Sequence, residues 1–294
     1  MKMTGNQILL ILCTAFVFWQ CGTSQQTETT VDEPIVEAEA EPSLALLWET
    51  SATLTTCESV LYDSESGNIY VANIEGDAME KDGVGSISII SKEGEIVNRD
   101  WVTGLNAPKG MGISNGKLYV TDIDEVVEID IESSSVSNRY PVEGAQFLND
   151  LDTDNEKVYF TDMRAGKIHI LENGQIETFA EGQESINGVR IADDGTVYGL
   201  DAEGLKKYSN DGTFEIINGE VTGGDGLVII DADTFIASRW RGEIYLIQEG
   251  VETQILDTQV EESNTADIDF IPEENIVLVP TFLKDKVTAY KLTY

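Results

Sequence analysis

The sequence predicts an all-β fold assembled from six copies of one unit. A short apolar strand that opens with a polar or small pair of residues occurs six times between residues 58 and 268. A second strand answers each opening, and no apolar run of helical period lies between the two. The centres of the answering strands recur every 37 to 49 residues, at Tyr70, Tyr119, Tyr159, Tyr198, Phe235 and Val277. Strands repeated with this period are typical of propeller blades.

Each repeat then continues with two more strands. In the third repeat these are 167–171 and 175–179, joined by a tight turn at Glu172-Asn173-Gly174. Four such strands make one antiparallel blade. The last repeat has only three strands before Tyr294, and we predict that residues 44–50 supply the fourth by pairing with residues 286–292, which removes an exposed edge. The prediction is a six-bladed β-propeller over residues 44–294.

The first 43 residues predict export. Lys2 precedes an apolar run at 8–19 that is too short to span a bilayer and has the length of a signal-peptide core. We predict a signal peptide at 1–20, and the cysteine that follows, Cys21, resembles the lipidated cysteine of a bacterial lipoprotein. An acidic tether at 21–43 has too few apolar residues to fold. The predicted location is the periplasm or the outer membrane, with plain secretion as the alternative.

The charge balance limits the classes of partner that the chain can bind. The chain has 54 acidic and 18 basic residues, a formal net charge of −36. We therefore expect no nucleic-acid partner. Anionic lipid would also be repelled, so membrane attachment is expected only through the lipid anchor. Cys57 is the only thiol of the predicted propeller, so no internal disulfide is expected there. We expect a monomer.

Polar residues open the first strand of nearly every repeat. First strands line the axis of a propeller, so these residues should meet at one mouth of the channel. They are Glu58, Lys109, Asn149, Asn187, Asp225 and Ala266. Carboxylate and amide oxygens suit calcium or magnesium, and a cation would relieve repulsion between the two carboxylates. A ring of polar side chains that only solvates a water-filled channel is the alternative.

Four motifs resemble the gluconolactonase, regucalcin and luciferin-regenerating-enzyme family of six-bladed propellers. They are residues 48–54 leading to Glu58, then 147–150, 187–189 and 225–227. The resemblance implies one divalent cation held by Glu58, Asn187 and Asp225, with Ca²⁺ ahead of Mg²⁺, Mn²⁺ and Zn²⁺. It implies that Asn149 contacts the substrate. The implied activity is hydrolysis of a lactone or related ester, with Asp225 as the catalytic base.

The chain also departs from that family. Phe147 stands where sugar-lactonase members have an arginine that holds polar substrate, and Thr56-Cys57 and Gly223-Gly224 replace usual Gly- and Pro-containing segments. The metal is thus better supported than a sugar-acid substrate, and a less polar lactone or ester suits Phe147. The alternative function is a non-catalytic propeller that binds a small ligand or a partner protein, with the metal structural or absent.

The turns between second and third strands lie at the same end as the axial residues. Basic residues are scarce, yet several fall in these turns together with a tryptophan: Arg164, Arg239, Trp240 and Arg241. With Lys109 and Phe147 they are predicted to bind substrate. The alternative is that the cations only offset neighbouring carboxylates. The insert at 75–85 is a candidate lid.

Two further motifs are interpreted as structural. Residues 112–116 match Gly-x-Ser-x-Gly but fall in a strand-to-strand turn rather than a strand-to-helix elbow. His169 alternates with isoleucines on a third strand, so we expect it on the surface and expect no Ser-His-Asp triad.

Overall fold

A computed structural model describes residues 41–294. The predicted signal peptide, the predicted lipidation site Cys21 and nearly all of the predicted tether lie outside the described residues, so the export and anchoring of the chain stay predictions. The first strand begins at Ser43, one residue before the predicted start of the propeller. Among residues 41–294, no helix has the length and apolar character needed to cross a membrane.

The prediction of six four-stranded antiparallel blades is confirmed. Blade 1 contains β2 (Cys57–Tyr62), β3 (Ile69–Asn73), β4 (Gly85–Ile90) and β5 (Ile96–Leu105), and blade 2 contains β6 (Pro108–Ser114), β7 (Lys117–Asp122), β8 (Glu125–Asp130) and β9 (Ser135–Pro141). Blade 3 contains β10 (Leu148–Thr153), β11 (Val158–Asp162), β12 (Lys167–Glu172) and β13 (Gln175–Glu181), and blade 4 contains β14 (Gly188–Ile191), β15 (Val197–Asp201), β16 (Gly204–Tyr208) and β17 (Phe214–Asn218). Blade 5 contains β18 (Leu227–Asp231), β19 (Thr234–Arg239), β20 (Glu243–Gln248) and β21 (Val251–Asp257). Blade 6 contains β22 (Asp269–Ile271), β23 (Ile276–Pro280), β24 (Val287–Thr293) and the N-terminal β1 (Ser43–Glu49), with one 3₁₀ turn at Pro272–Glu274.

Both ends of the chain contribute to blade 6. Strand β1 pairs antiparallel with β24, with Ser43 opposite Thr293 and Glu49 opposite Thr288. The inner strand of blade 1 also bonds to the inner segment of blade 6, because the Asp267 amide donates to the Glu58 carbonyl at 3.0 Å. Blades 1 and 6 are therefore in contact at the axis, and the ring has no gap there.

The apolar core is divided among the junctions between blades. Each of six buried clusters in residues 41–294 packs one blade against the next; the cluster between blades 1 and 6, for example, joins Val60 and Ile69 to Ile271 and Val287. The two faces of a blade pack against different neighbours, so both faces of its inner strands must be apolar. Polar side chains can therefore lie at the edge of each blade that faces the axis.

Candidate functional site

A cavity of about 240 Å³ opens at one mouth of the channel. Five of the six predicted axial residues line its polar floor, namely Glu58, Lys109, Asn149, Asn187 and Asp225. Its walls come from Ile74, Ala78, Phe147, Met163, Trp240 and Phe282. Ala266 is the sixth axial residue; it is fully buried and is not part of the lining. The structure thus places the predicted ligands and several predicted substrate residues in one cavity.

Irregular strand starts aim the floor residues at the axis. The ladders of β2, β6 and β10 skip register at Glu58, at Lys109-Gly110 and at Asn149-Asp150. A bulge takes residues out of the regular alternation and re-aims their side chains. In blades 4 and 5 the floor residues Asn187 and Asp225 lie just before the inner strand instead. Every floor residue therefore lies where regular pairing is interrupted.

The glycines that follow three of these residues permit close packing of inner strands. A Cβ added to Gly188 would lie 2.6 Å from the Asp225 carbonyl oxygen, and Gly110 and Gly226 would meet the backbone of the next blade in the same way. Only glycine allows such an approach. The Asn187-Gly188 and Asp225-Gly226 steps are thus packing features of the axis rather than turns, and they bring neighbouring floor residues together.

A Thr-Asp pair at the end of two second strands holds neighbouring floor residues in place by hydrogen bonds. At the end of β11, the Thr161 hydroxyl donates to the Asn187 carbonyl of the next blade at 2.9 Å, and Asp162 accepts the backbone amides of Gln146 and Phe147. At the end of β7, the Thr121 hydroxyl bonds the Asn149 carbonyl in the same way. Sequence reasoning missed this support, although Thr-Asp after the Tyr119 and Tyr159 strands was a readable signal.

Glu58 is a buried carboxylate with an unused acceptor. It is 6% exposed, and its Oε2 has no hydrogen-bond partner within the described chain. Burial raises its pKa well above the ordinary value, repulsion from Asp225 and Asp267 raises it further, and the Lys109 ammonium lowers it. A cation or hydrogen-bond donor that enters the cavity would stabilise the ionised form of such a buried carboxylate.

Asp225 is the second buried carboxylate of the floor. Its Oδ1 accepts a hydrogen bond of 2.7 Å from the Asn187 side-chain amide, and its backbone amide donates to the Ser238 carbonyl at 2.8 Å. Burial, with a further contribution from Asp267, raises the pKa of Asp225 to about 7. Asp225 thus binds and releases its proton near neutral pH, as a general base must.

This shift predicts a pH dependence of stability. The folded protein holds the Asp225 proton between its ordinary pKa of 3.8 and about 7, whereas the unfolded chain has lost it. Stability from this group is therefore fully present below pH 4 and decreases as the pH rises to 7. Urea unfolding of metal-free protein from pH 4.5 to 8 should show a steeper loss of stability in wild type than in Asp225→Asn. Equal slopes would contradict the shift.

The other floor residues differ in how free their side chains are. No hydrogen bond joins the Asn149 side chain to any other described residue, so its amide is available to a ligand. Lys109 is 2% exposed, and its Nζ donates to the Ala107 carbonyl at 3.1 Å and to the Ala78 carbonyl at 3.4 Å. Burial lowers the pKa of Lys109, although Glu58 opposes this shift. The Phe147 ring lies 4.9 Å from Lys109 Nζ and 4.7 Å from Arg164 Cζ.

The predicted rim cations are mostly engaged elsewhere. Arg239 does not line the cavity: it donates to the carbonyls of Thr222 and Glu220 at 2.9 and 2.8 Å and stacks on Tyr245. Arg241 is exposed and is not part of the lining either, and Arg164 reaches the site only through Phe147. Trp240 does line the cavity. Of the predicted rim cluster, only the tryptophan therefore faces the site directly.

Ala78, within the predicted lid at 75–85, lines the cavity, so this segment forms part of its wall. The segment's Lys81 forms an ion pair of 2.6 Å with Asp124.

The Gly-x-Ser-x-Gly match lies in the β6–β7 turn, and Ser114 donates to the Asn155 carbonyl at 2.9 Å. The expectation that His169 is on the surface is wrong. It is 7% exposed and stacks on Phe160 between blades, because inter-blade packing covers both faces of β12.

A charged network below the floor was missed by sequence reasoning. Arg190, 8% exposed, lies 3.4 Å from Asp150 and 3.3 Å from Asp267, and it donates to the Ile268 carbonyl at 3.2 Å. It joins blades 3, 4 and 6 across the channel. Burial alone would lower the pKa of Arg190, but Asp150 and Asp267 raise it above its ordinary value. Arg190 thus stays charged between Asp150 and Asp267.

The donor chemistry of the floor fits a divalent cation. No group of three His, Cys, Asp or Glu side chains in residues 41–294 is arranged to hold a metal, and the candidate set instead combines two carboxylates with amides. Hard oxygen donors of this mixture are those that calcium and magnesium take. The unpartnered Glu58 Oε2 is a buried carboxylate oxygen that no other described residue uses, so it could coordinate such a cation.

No protein-family model matches the chain, and no curated protein matches it. Solved structures do. A streptogramin B lyase is 13% identical with a TM-score of 0.61, covering 86% of this chain and 98% of its own. A candidate gluconolactonase is 14% identical with a TM-score of 0.61, covering 86% and 93%. A virginiamycin B lyase from Staphylococcus aureus is 12% identical with a TM-score of 0.57, covering 86% and 100%. At these identities the likeness shows the fold alone, and the chain is a β-propeller.

Proposed function

We propose that the protein cleaves a lactone or related ester by hydrolysis in this cavity, with one divalent cation, most suitably Ca²⁺. The convergence of buried Glu58 and Asp225 with Asn149 and Asn187 on one cavity floor carries the proposal. Glu58, Asn187 and Asp225 would hold the cation. Neighbours in fold that are named a streptogramin B lyase and a candidate gluconolactonase support an enzyme of the hydrolase or lyase type on this architecture.

The roles of the chain's own residues follow from their surroundings. A bound divalent cation supplies positive charge that polarises a carbonyl and favours ionisation of water. The Asp225 carboxylate accepts the proton of the attacking water, whose oxygen bonds to the carbonyl carbon, and its surroundings set its pKa near neutrality. The protonated Asp225 then returns this proton to the alcohol oxygen that leaves when the ester C–O bond breaks. The Asn149 amide, without a partner in the described chain, orients the substrate. The Lys109 ammonium lies where it can stabilise negative charge that develops on the substrate.

Calorimetric titration of the metal-stripped protein tests the proposal. We expect Ca²⁺ to bind with one-to-one stoichiometry, and Glu58→Gln to weaken binding at least about tenfold because it removes a charged oxygen donor. Asp124→Asn is the matched control, since Asp124 is an exposed carboxylate in the turn after β7. If Ca²⁺, Mg²⁺, Mn²⁺ and Zn²⁺ all fail to bind to the wild type, the metal-dependent hydrolase is excluded.

A non-catalytic ligand-binding propeller is the second candidate, and one observation favours it. Lys109 already places an ammonium close enough to Glu58 to lower its pKa, so the site has an internal cation. A protein from a nidogen/laminin complex shares the fold at a TM-score of 0.60 and 14% identity, covering 72% of this chain and 83% of its own. Ligand binding without metal binding or turnover would select this alternative.

A further inference from the structure

The cavity is divided into a polar and an apolar half. All of its charged and amide side chains lie on the floor, at Glu58, Lys109, Asn149, Asn187 and Asp225. The walls are formed by Ile74, Ala78, Phe147, Met163, Trp240 and Phe282, among which the Trp240 indole N–H is the only side-chain hydrogen-bond donor. Such a site orients a ligand by a few polar contacts and binds the rest by burial.

The walls do not suit a ligand that carries hydroxyls all round. A polyhydroxylated ring would lose hydrogen bonds to water against these side chains and regain few of them. The Phe147 ring is also already approached by two cations, Lys109 at 4.9 Å and Arg164 at 4.7 Å. Phe147 itself lines the cavity and offers no hydrogen-bonding group to a sugar hydroxyl.

An aromatic shelf, Trp240 with Phe282, extends the apolar wall towards solvent. The two rings meet edge to face at 5.5 Å and 76°. Trp240 is 41% exposed, and Leu283, which directly follows Phe282, is 63% exposed. The shelf is nevertheless fixed in place, because the Asn264 side chain donates to the Trp240 carbonyl at 2.9 Å and Ile74 packs with Phe282 in a small buried cluster. A fixed exposed aromatic surface beside a cavity marks a binding surface for an apolar group.

The cavity volume sets the size of the ligand. The volume of about 240 Å³ exceeds the roughly 150 Å³ of a cavity that holds a benzene ring. A lactone ring with its carbonyl, which is slightly larger than benzene, therefore takes up most of this space and leaves room for only a short part of a substituent. A longer substituent must therefore leave the cavity along its wall, where the aromatic shelf lies.

We propose that the substrate is a lactone or ester that bears an apolar alkyl or aryl substituent, with the reacting carbonyl at the floor and the substituent on the aromatic shelf. The inference rests on the proposed function for its reactive group. Trp240 and Phe282 are then the residues that determine specificity. The strongly acidic surface of the chain agrees with a neutral substituent rather than an anionic lipid surface as the occupant of the shelf.

A chain-length series tests the inference, with binding and turnover measured in parallel. The probes are δ-valerolactone, δ-octalactone, δ-decalactone and D-glucono-δ-lactone, with calorimetry for binding and a pH-stat for hydrolysis, in the presence of Ca²⁺. Each methylene buried on the shelf contributes up to about fourfold in affinity. We expect kcat/KM for δ-decalactone to exceed that for δ-valerolactone at least tenfold, through KM, and to exceed that for the sugar lactone.

Substitutions at Trp240 test whether the aromatic shelf causes the preference for long lactones. Trp240→Ala should reduce the ratio of kcat/KM between the long and the short lactone at least fivefold, and Trp240→Phe should retain most of that ratio. Val251→Ala is the control, because Val251 is 68% exposed on the outer strand β21, and it should leave the ratio unchanged. A ratio that Trp240→Ala leaves intact would overturn the role of the shelf.

The two proposals fail in different ways. Turnover that is equal for all alkyl lactones, or best with the sugar lactone, would overturn the apolar-substituent inference and leave the hydrolase standing. Binding that strengthens with chain length and depends on Trp240, without any turnover, would support the shelf and overturn the hydrolase. Neither binding nor turnover of any probe would overturn both.

Discussion

Replacing Asp225 by asparagine is expected to lower kcat for lactone hydrolysis at least about a hundredfold, the lower end of what a positioned base contributes. Asparagine keeps the size of the side chain and an acceptor for the 2.7 Å bond from Asn187. It cannot take a proton from water. The loss should therefore appear in kcat as well as in kcat/KM, measured with the best substrate of the alkyl series.

The same substitution should not unfold the protein. In the metal-free protein above pH 7, the wild type buries an ionised Asp225 near Asp267, whereas the variant buries a neutral amide, so metal-free Asp225→Asn should be at least as stable as metal-free wild type in urea. Higher stability with lower activity is the usual relation at a functional carboxylate. Asp124→Asn, on the same face but exposed, should alter neither property. A variant at Asp225 that retains full kcat would rule out its role as the base.

The blade architecture could be predicted because packing between blades places large buried residues at regular intervals along the sequence. Tyr70, Tyr119, Tyr159 and Tyr198 recur at the centres of second strands, and three of these rings are nearly fully buried between blades. The axial residues followed from the architecture, since the first strand of every blade must reach the channel. For this reason the floor of the cavity was predictable residue by residue.

The walls and the network below the floor could not be predicted in the same way. Asn149 and Asp150 are consecutive, and regular alternation would place only one of them at the axis; the bulge in β10 brings both there. Arg190 meets Asp267 across the channel at a separation of 77 residues, a contact that no local pattern encodes. Phe282 reaches the cavity from a turn, and the length of that turn alone does not fix its direction.

Arg239 shows a different limit. The sequence predicts it in a turn, and the structure places it as the last residue of β19, directly before that turn and at the predicted end of blade 5. Its guanidinium, however, donates to the carbonyls of Glu220 and Thr222 and to the Tyr245 hydroxyl. Backbone carbonyls in loops are strong acceptors, and nothing in composition reveals which of them lack a donor. A charged residue at a turn thus predicts at which end of the propeller its side chain lies, but not whether that side chain faces the cavity.

Replacing Arg190 by methionine is expected to destabilise the protein by about 3–5 kcal/mol, because two buried carboxylates lose their shared counter-ion. Asp150 and Asp267 are 2% and 3% exposed and lie within 3.4 Å of the guanidinium. Methionine fills part of the same space, so the effect measures charge more than volume. Urea unfolding at pH 8 gives the free energy of unfolding directly.

Two comparisons separate this network from ordinary ion pairs. Lys117→Met removes a pair with Asp130 whose side chains are about one-third exposed, and it should destabilise the protein far less than Arg190→Met does, because solvent screens such a pair. The triple variant Arg190→Met, Asp150→Asn, Asp267→Asn removes the uncompensated charges and should recover much of the loss, since a neutral buried set avoids the desolvation of unpaired ions. The defect of the single variant should also shrink as the pH falls, because burial and Asp267 raise the pKa of Asp150 well above its ordinary value and its protonation removes one of the unpaired charges. If Arg190→Met is no more harmful than Lys117→Met, the network is not what holds blades 3, 4 and 6 together at the axis.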